Sequence, residues 1–159
     1  MSRFGGYGRG MADPNPLARE VSLEVPDLEI KSVLLLDDDV DLADTLKSLL
    51  ESHNYIVTTV KNGVEGLREV MAMDFDIIMC DMLMPAMPGD MFYLAIERIK
   101  PHLCPRFIFL TGHADNPKVS GFLKKIDATA LYKPVTNEEL IHTISLVLKK
   151  QRSRSAGDE

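Results

Sequence analysis

The chain has 159 residues, of which 45% are hydrophobic and 26% charged, a balance that fits one folded domain with tails and excludes wholesale disorder. Its net charge of −6 argues against nucleic acid or anionic lipid as a partner, because phosphate binding wants clustered Lys and Arg. No apolar run is long enough to span a bilayer and no signal-peptide pattern opens the chain, while two cysteines make neither a disulfide framework nor a metal-ligand spacing, so a cytoplasmic, reducing compartment is expected.

Four of the ten glycines lie in the first ten residues, followed by Asp13-Pro14-Asn15-Pro16, a composition that cannot repay the entropy of ordering. Residues 1–30 therefore read as a disordered or extended N-terminal arm. Val21, Leu23 and Val25 alternate before Pro26, a pattern that suits an extended piece lying on the domain or on another subunit.

From Lys31 to Lys150 short apolar runs alternate with helical periodicity. Val33–Leu36, Tyr55–Val60, Ile77–Cys80, Phe107–Leu110 and Ala130–Tyr132 read as strands, and most are apolar on both faces, as buried parallel strands are. Leu42, Leu46, Leu49 and Leu50 mark a first helix; Val64, Leu67, Val70 and Met71 a second; Met91, Leu94 and Ala95 a third. Val119, Phe122, Leu123 and Ile126 mark a fourth. Leu140, Ile141, Ile144 and Leu148 mark a fifth, opened by the capping box Thr136-Asn137-Glu138-Glu139. Residues 151–159 read as a disordered C-terminal tail, in which Lys149, Lys150, Arg152 and Arg154 suit the negative end of a helix dipole better than a nucleic-acid patch. Five βα units imply a doubly wound α/β sandwich with its ligand site at the carboxyl ends of the strands.

Those ends carry the chemistry. Asp37, Asp38 and Asp39 follow the first strand and Asp81 the third, and carboxylates crowded at one rim persist where a cation neutralises them. Oxygen ligands select a hard ion, and few carboxylates plus water suit Mg²⁺ better than Ca²⁺. Thr111 ends the fourth strand and Lys133 the fifth, adding a hydroxyl and an ammonium. Asp39 reads as helix N-terminal charge. His113 borders the site from a loop.

The sequence resembles the receiver domains of two-component response regulators through Val33-Leu34-Leu35-Leu36-Asp37-Asp38-Asp39, Asp81-Met82-Leu83-Met84-Pro85, Phe107-Ile108-Phe109-Leu110-Thr111-Gly112 and Leu131-Tyr132-Lys133-Pro134. The resemblance implies a flavodoxin-like, five-stranded parallel sheet of order 2-1-3-4-5 flanked by five helices over residues 31–150. It implies Asp81 as phosphoacceptor, and Asp37, Asp38 and Asp81 with the Leu83 backbone carbonyl as Mg²⁺ ligands. Thr111 and Lys133 would bind the phosphoryl group and act as the switch. The implied partners are a histidine kinase or histidine phosphotransfer protein and an unknown downstream protein, with a homodimer allowed and neither nucleic acid nor membrane contacted directly. Such a chain is a phosphoprotein of signal transduction, with slow self-dephosphorylation at most, acting alone or as a relay module.

The sequence departs from the family at Ala130, where many receivers carry a Tyr or Phe relay, at Val135, and at Pro88. Tyr132 alternates to the face opposite Lys133. The missing relay ring keeps a second reading open, a receiver-shaped binding module that works without phosphate. A haloacid-dehalogenase-like phosphatase could use Asp37, Asp39, Thr111 and Lys133. It would leave Asp81 without a role, and only the helix-cap acids Glu138 and Glu139 follow the Lys.

Overall fold

The computed structural model describes residues 29–157. The N-terminal arm therefore lies almost wholly outside the described residues; Glu29 and Ile30 precede the first strand without regular structure. In chain order the elements are β1 (Lys31–Leu36), α1 (Val40–Ser52), β2 (Tyr55–Val60), α2 (Gly63–Ala72), β3 (Ile77–Asp81), α3 (Gly89–Ile99), a 3₁₀ turn (Pro101–Arg106), β4 (Phe107–Thr111), α4 (Pro117–Lys125), β5 (Ala130–Tyr132) and α5 (Asn137–Gly157). All four strand pairs are parallel, as the doubly apolar runs predict, and the order is β2-β1-β3-β4-β5, as the resemblance implies.

Strand alternation divides the core in two. Val33, Leu35, Ile77, Met79, Ile108 and Leu110 pack with α1 and α5. On the other face, Leu34, Leu36, Ile78, Phe107 and Phe109 pack with α2, α3 and α4. Side chains close the helix starts. Asp39 accepts from the Leu42 N–H, Asn62 from Glu65, and Asn116 from Lys118. At α5 the expected capping box forms reciprocally: Thr136 Oγ1 accepts from the Glu139 N–H, and the Glu139 carboxylate accepts from the Thr136 N–H, each at 3.1 Å.

Two helix faces differ from the sequence reading. On α2 the buried residues are Gly63, Gly66 and Val70, while Val64 and Met71 are 47% and 65% exposed. The helix packs through its glycines: a Cβ on Gly66 would sit 2.5 Å from Leu36 and 3.0 Å from the Phe92 ring, so the backbone itself approaches the sheet. On α3 the buried face is Phe92, Tyr93 and Ile96, not Met91, Leu94 and Ala95. Residues 91–96 are all apolar or aromatic, so spacing alone does not choose a side, and the rings decide by burying the larger area against Phe107 and Phe109.

The tail expectation is also corrected: α5 runs on through Gly157. Gln151 Nε2 donates to the Asp76 carbonyl at 3.1 Å, tethering the extra turns to the domain, and Ser153 and Ser155 donate to carbonyls one turn back.

Where α2 and α3 end, Lys100 Nζ donates to the Val70 carbonyl and to Asp74, each at 2.8 Å, and His102 meets the same carboxylate at 2.7 Å. These two partners lower the Asp74 pKa from 3.8 to about 2. A depressed carboxylate stabilises the fold above its unfolded value and loses that contribution as pH falls. Asp74 is well exposed, so screening limits the effect to about 1 kcal/mol or less. Urea melts of Asp74→Asn should therefore be flatter than wild type between about pH 4 and pH 2, and salt should shrink the difference. Parallel acid limbs would show that the cluster contributes nothing.

Candidate functional site

Because β1 and β3 are neighbours, the residues at their carboxyl ends face each other, and β4 and β5 add theirs in turn. Asp37 is 1% exposed, Asp81 6% and Thr111 0%, and these are the only buried polar or charged residues among those described. Lys133 reaches across from the end of β5, with Nζ 3.0 Å from Asp37 Oδ2 and 3.3 Å from Asp81 Oδ2. Each carboxylate is also fixed by backbone. The Asp39 N–H donates to Asp37 Oδ1 at 2.9 Å, and the Leu83 N–H donates to Asp81 Oδ1 at 3.3 Å. Thr111 Oγ1 accepts from the His113 N–H at 3.0 Å, and the Lys133 N–H donates to the Thr111 carbonyl at 2.8 Å.

Burial raises the Asp81 pKa; the Lys133 charge opposes this and the Asp37 charge adds to it. For Lys133 burial acts to lower the pKa, but the hydrogen bond to Asp37 and the two carboxylate charges outweigh it and the ammonium is strengthened. Beneath them Cys80 is fully buried and its thiol is pushed far up, first by burial and then by Asp81 and Asp37, so it is an inert wall of the site.

One oxygen from each of Asp37, Asp38 and Asp81 can be chosen so that all lie within 4.8 Å of one another. Three carboxylates face one ammonium, and a divalent cation would close the charge difference. The donors are all hard oxygens, two are buried and Asp38 stands open to solvent, so the set fits a hydrated Mg²⁺.

The structure brings Asp37, Asp38, Asp81, Thr111 and Lys133 to one rim. Asp39 stands at the start of α1, where its charge was expected, but goes further and caps the helix through its side chain, meeting the site only through its N–H. His113 is exposed in the loop after Thr111. Tyr132 is 54% exposed on the face opposite Lys133. The sequence reading missed Gly89, whose N–H donates to the Met82 carbonyl at 3.0 Å, and whose added Cβ would lie 2.4 Å from the Asp81 carbonyl oxygen. Its one signal was the Pro88-Gly89 pair opening α3.

Residues 33–145 match the family model of the response regulator receiver domain. The chain is 32% identical over 127 residues to the transcriptional regulatory protein GlrR of Escherichia coli, covering 80% of this chain and 28% of that protein. It is 29% identical to a CpxR homolog of Haemophilus influenzae, covering 79% and 54%, and 30% identical to the sensor kinase CckA of Brucella abortus, covering 76% and 13%. The chain thus spans about half or less of these curated relatives. Among solved structures, a CheY-like receiver domain from Methanospirillum hungatei superposes with a TM-score of 0.72 at 27% identity, covering 79% of this chain and 98% of that one. CheY4 of Vibrio cholerae superposes with a TM-score of 0.67 at 28% identity, covering 75% and 99%. Fold, strand-end residues and sequence similarity agree: this chain belongs to the response regulator receiver domain family.

Proposed function

We propose that this chain accepts a phosphoryl group on Asp81 from a phosphohistidine of a histidine kinase or phosphotransfer protein, and signals through protein contacts. The observation that carries the reading is the Asp81 carboxylate itself. It is nearly buried, held on Lys133 and Leu83, and set within 4.8 Å of two further acids. Relatives that include both transcriptional regulators and a sensor kinase leave either a regulator or a relay context open to it.

In the transfer, an Asp81 oxygen forms the new O–P bond as the N–P bond of the phosphohistidine breaks. The bonding pair stays on the imidazole nitrogen, which takes up a proton. Asp37, Asp38 and Asp81, with the Leu83 carbonyl, are the residues that would hold Mg²⁺, and the bound ion supplies charge neutralisation for the incoming phosphoryl oxygens. Lys133 is already poised to move from carboxylate to phosphoryl oxygen, and the Thr111 hydroxyl stands at the adjoining strand end. Incubating the chain with acetyl phosphate and Mg²⁺ tests the reading, with intact-mass spectrometry detecting one added phosphoryl group. Continuous phosphate release without an adduct would point to a phosphatase, and no reaction to a phosphate-independent binding module.

Removing one ligand should act on binding and transfer together. Asp38→Ala, at an exposed position where folding is little affected, is expected to weaken Mg²⁺ binding roughly tenfold or more, judged by what even outer-shell changes do at metal sites. Calorimetric titration with Mg²⁺ checks this, and an unchanged affinity would remove Asp38 from the site.

The switch follows from Thr111 and Ala130. Ala130 pairs with Phe109 in the sheet and packs against the aromatic core, where a methyl group cannot report phosphorylation as a relay ring would. Thr111 Oγ1, in contrast, is tied to the loop by the His113 N–H. Engaging that hydroxyl should displace residues 113–126, the loop and α4, with little movement of Ala130. Amide exchange with and without a beryllofluoride mimic is expected to change there; changes confined to α1 and α2 would overturn this switch.

A further inference from the structure

Helix α5 is longer than the sheet it covers. Its 21 residues span about 31 Å at 1.5 Å each, whereas the five residues of β4 span about 17 Å, so its last turns pass the amino end of the sheet. The bond from Gln151 to the Asp76 carbonyl fixes them there. Between those turns, the 3₁₀ turn and the connection from α4 to β5 lies a cavity of about 320 Å³, at the opposite end of the sheet from Asp81. Its size suits one small molecule.

The lining is aromatic on one side and charged on two others. Tyr93 and Phe107, which meet edge-on at 5.0 Å, form the apolar wall. Lys150 and Arg154, one turn apart on α5, bring two cations, and Asp127 brings one carboxylate from the end of α4. Helices α4 and α5 cover opposite faces of the sheet, so the acid and the bases enter from opposite sides. Among the described residues neither base pairs with a carboxylate, so opposite charges line one cavity without neutralising each other. Asp127 also holds a backbone position that Gly usually takes. With φ at 52° it closes α4, its N–H donating to the Lys124 carbonyl and the Ala128 N–H donating to the Leu123 carbonyl. At the negative end of a helix a carboxylate is disfavoured on its own and a cation is favoured.

We infer that this cavity binds a free aromatic α-amino acid. The ligand carboxylate sits on Lys150 and Arg154, its ammonium on Asp127 at the end of α4, and its ring against Tyr93 and Phe107 in the edge or offset contacts that aromatic pairs prefer. A ligand with only one charge would leave one side of the cavity unmatched, and a bare inorganic anion would leave the rings unmatched as well. The site stands apart from Asp81 and rests on no part of the phosphoryl chemistry.

The chain has no tryptophan, so indole emission during a titration comes from the ligand alone. Adding the full chain to L-tryptophan should give a saturable change in that emission, with amide shifts at Cys104, Ala128, Thr129 and Gln151 but not at Leu83. Tryptamine, which lacks the carboxylate, and indole-3-propionate, which lacks the ammonium, should each bind roughly tenfold or more weakly, the loss expected when a charged partner goes unmet. Two variants assign the two ends. Arg154→Gln should weaken L-tryptophan and spare tryptamine; Asp127→Asn, whose new side chain tolerates the left-handed backbone, should weaken L-tryptophan and spare indole-3-propionate. Both should melt as wild type does. No saturation with either L-tryptophan or L-phenylalanine would overturn the assignment, as would equal affinity for the three indoles, wild-type binding in both variants, or shifts centred on Leu83.

Discussion

Asp81→Asn should reduce acetyl phosphate labelling to background and at the same time make the metal-free fold more stable. The amide cannot form the O–P bond, yet it is nearly isosteric and can still accept from the Leu83 N–H. The stability gain follows from the sign of the pKa shift. A carboxyl whose folded pKa is raised contributes stability fully below its unfolded value, and that contribution is lost as pH rises through the folded value. At neutral pH the ionised Asp81 is therefore a net cost that burial and Asp37 impose and Lys133 offsets only in part. Intact-mass labelling and thermal melts without Mg²⁺ read the two effects independently. Wild-type labelling in the variant would take Asp81 out of its role, and a lowered melting temperature would mean that the bond to Lys133 outweighs burial.

The other large effect is expected at Gly89, which no chemistry would single out. A Cβ there would lie 2.4 Å from the Asp81 carbonyl oxygen and 3.0 Å from the Met82 Cα, both backbone atoms that cannot swing aside. To admit even a methyl group, α3 must back away from β3 or the peptide that carries Asp81 must turn. Overpacking of this kind costs about 1–3 kcal/mol, so Gly89→Ala should shift the urea midpoint markedly and also slow labelling. Gly121 on α4 is the natural control, since nothing lies within 4 Å of its added Cβ. There, Ala should be neutral or stabilising, by up to ~1 kcal/mol from helix propensity. Equal behaviour of the two variants would show that the close approach of α3 to Asp81 is not a constraint.

The five strands and the acidic rim were legible because they rest on local patterns that tertiary structure does not override, while the strand order came only from the resemblance to receiver domains. Doubly apolar runs need cover on both faces, and a polar residue directly after such a run has one end of the sheet to occupy. The box at Thr136 and Glu139 was legible for the same reason, being closed within a single turn, whereas Asp39 was read only as charge at a helix start and not as the cap it forms. What escaped depended on distances between elements. Gly63 and Gly66 carry no side chain for apolar periodicity to register, and only their close approach to Met87, Leu36 and Phe92 reveals them as part of the buried face. Along the all-apolar stretch 91–96 of α3, ring packing rather than period chose the face. The extra turns of α5 depend on Asp76, some 75 residues earlier in the chain, which no local pattern connects to Gln151.

The gathering of five rings on one side of the sheet has an optical consequence. Phe92, Tyr93, Phe107, Phe109 and Phe122 form a continuous set of contacts at 5.0–6.0 Å between centroids, and the chain has no tryptophan. Near-ultraviolet dichroism from this set therefore reports the face covered by α3 and α4, and is nearly blind to α1 and α5. Phe122 belongs to α4 and meets Tyr93 edge-on at 5.8 Å, so a displacement of that helix changes the asymmetric surroundings of a tyrosine that stays on α3. The protein thus carries an unlabelled chromophore at the contact between α3 and α4, and the Tyr93 share of the tyrosine band, to which Tyr55 on the other face also adds, tests in real time whether α4 shifts as phosphodonor is added.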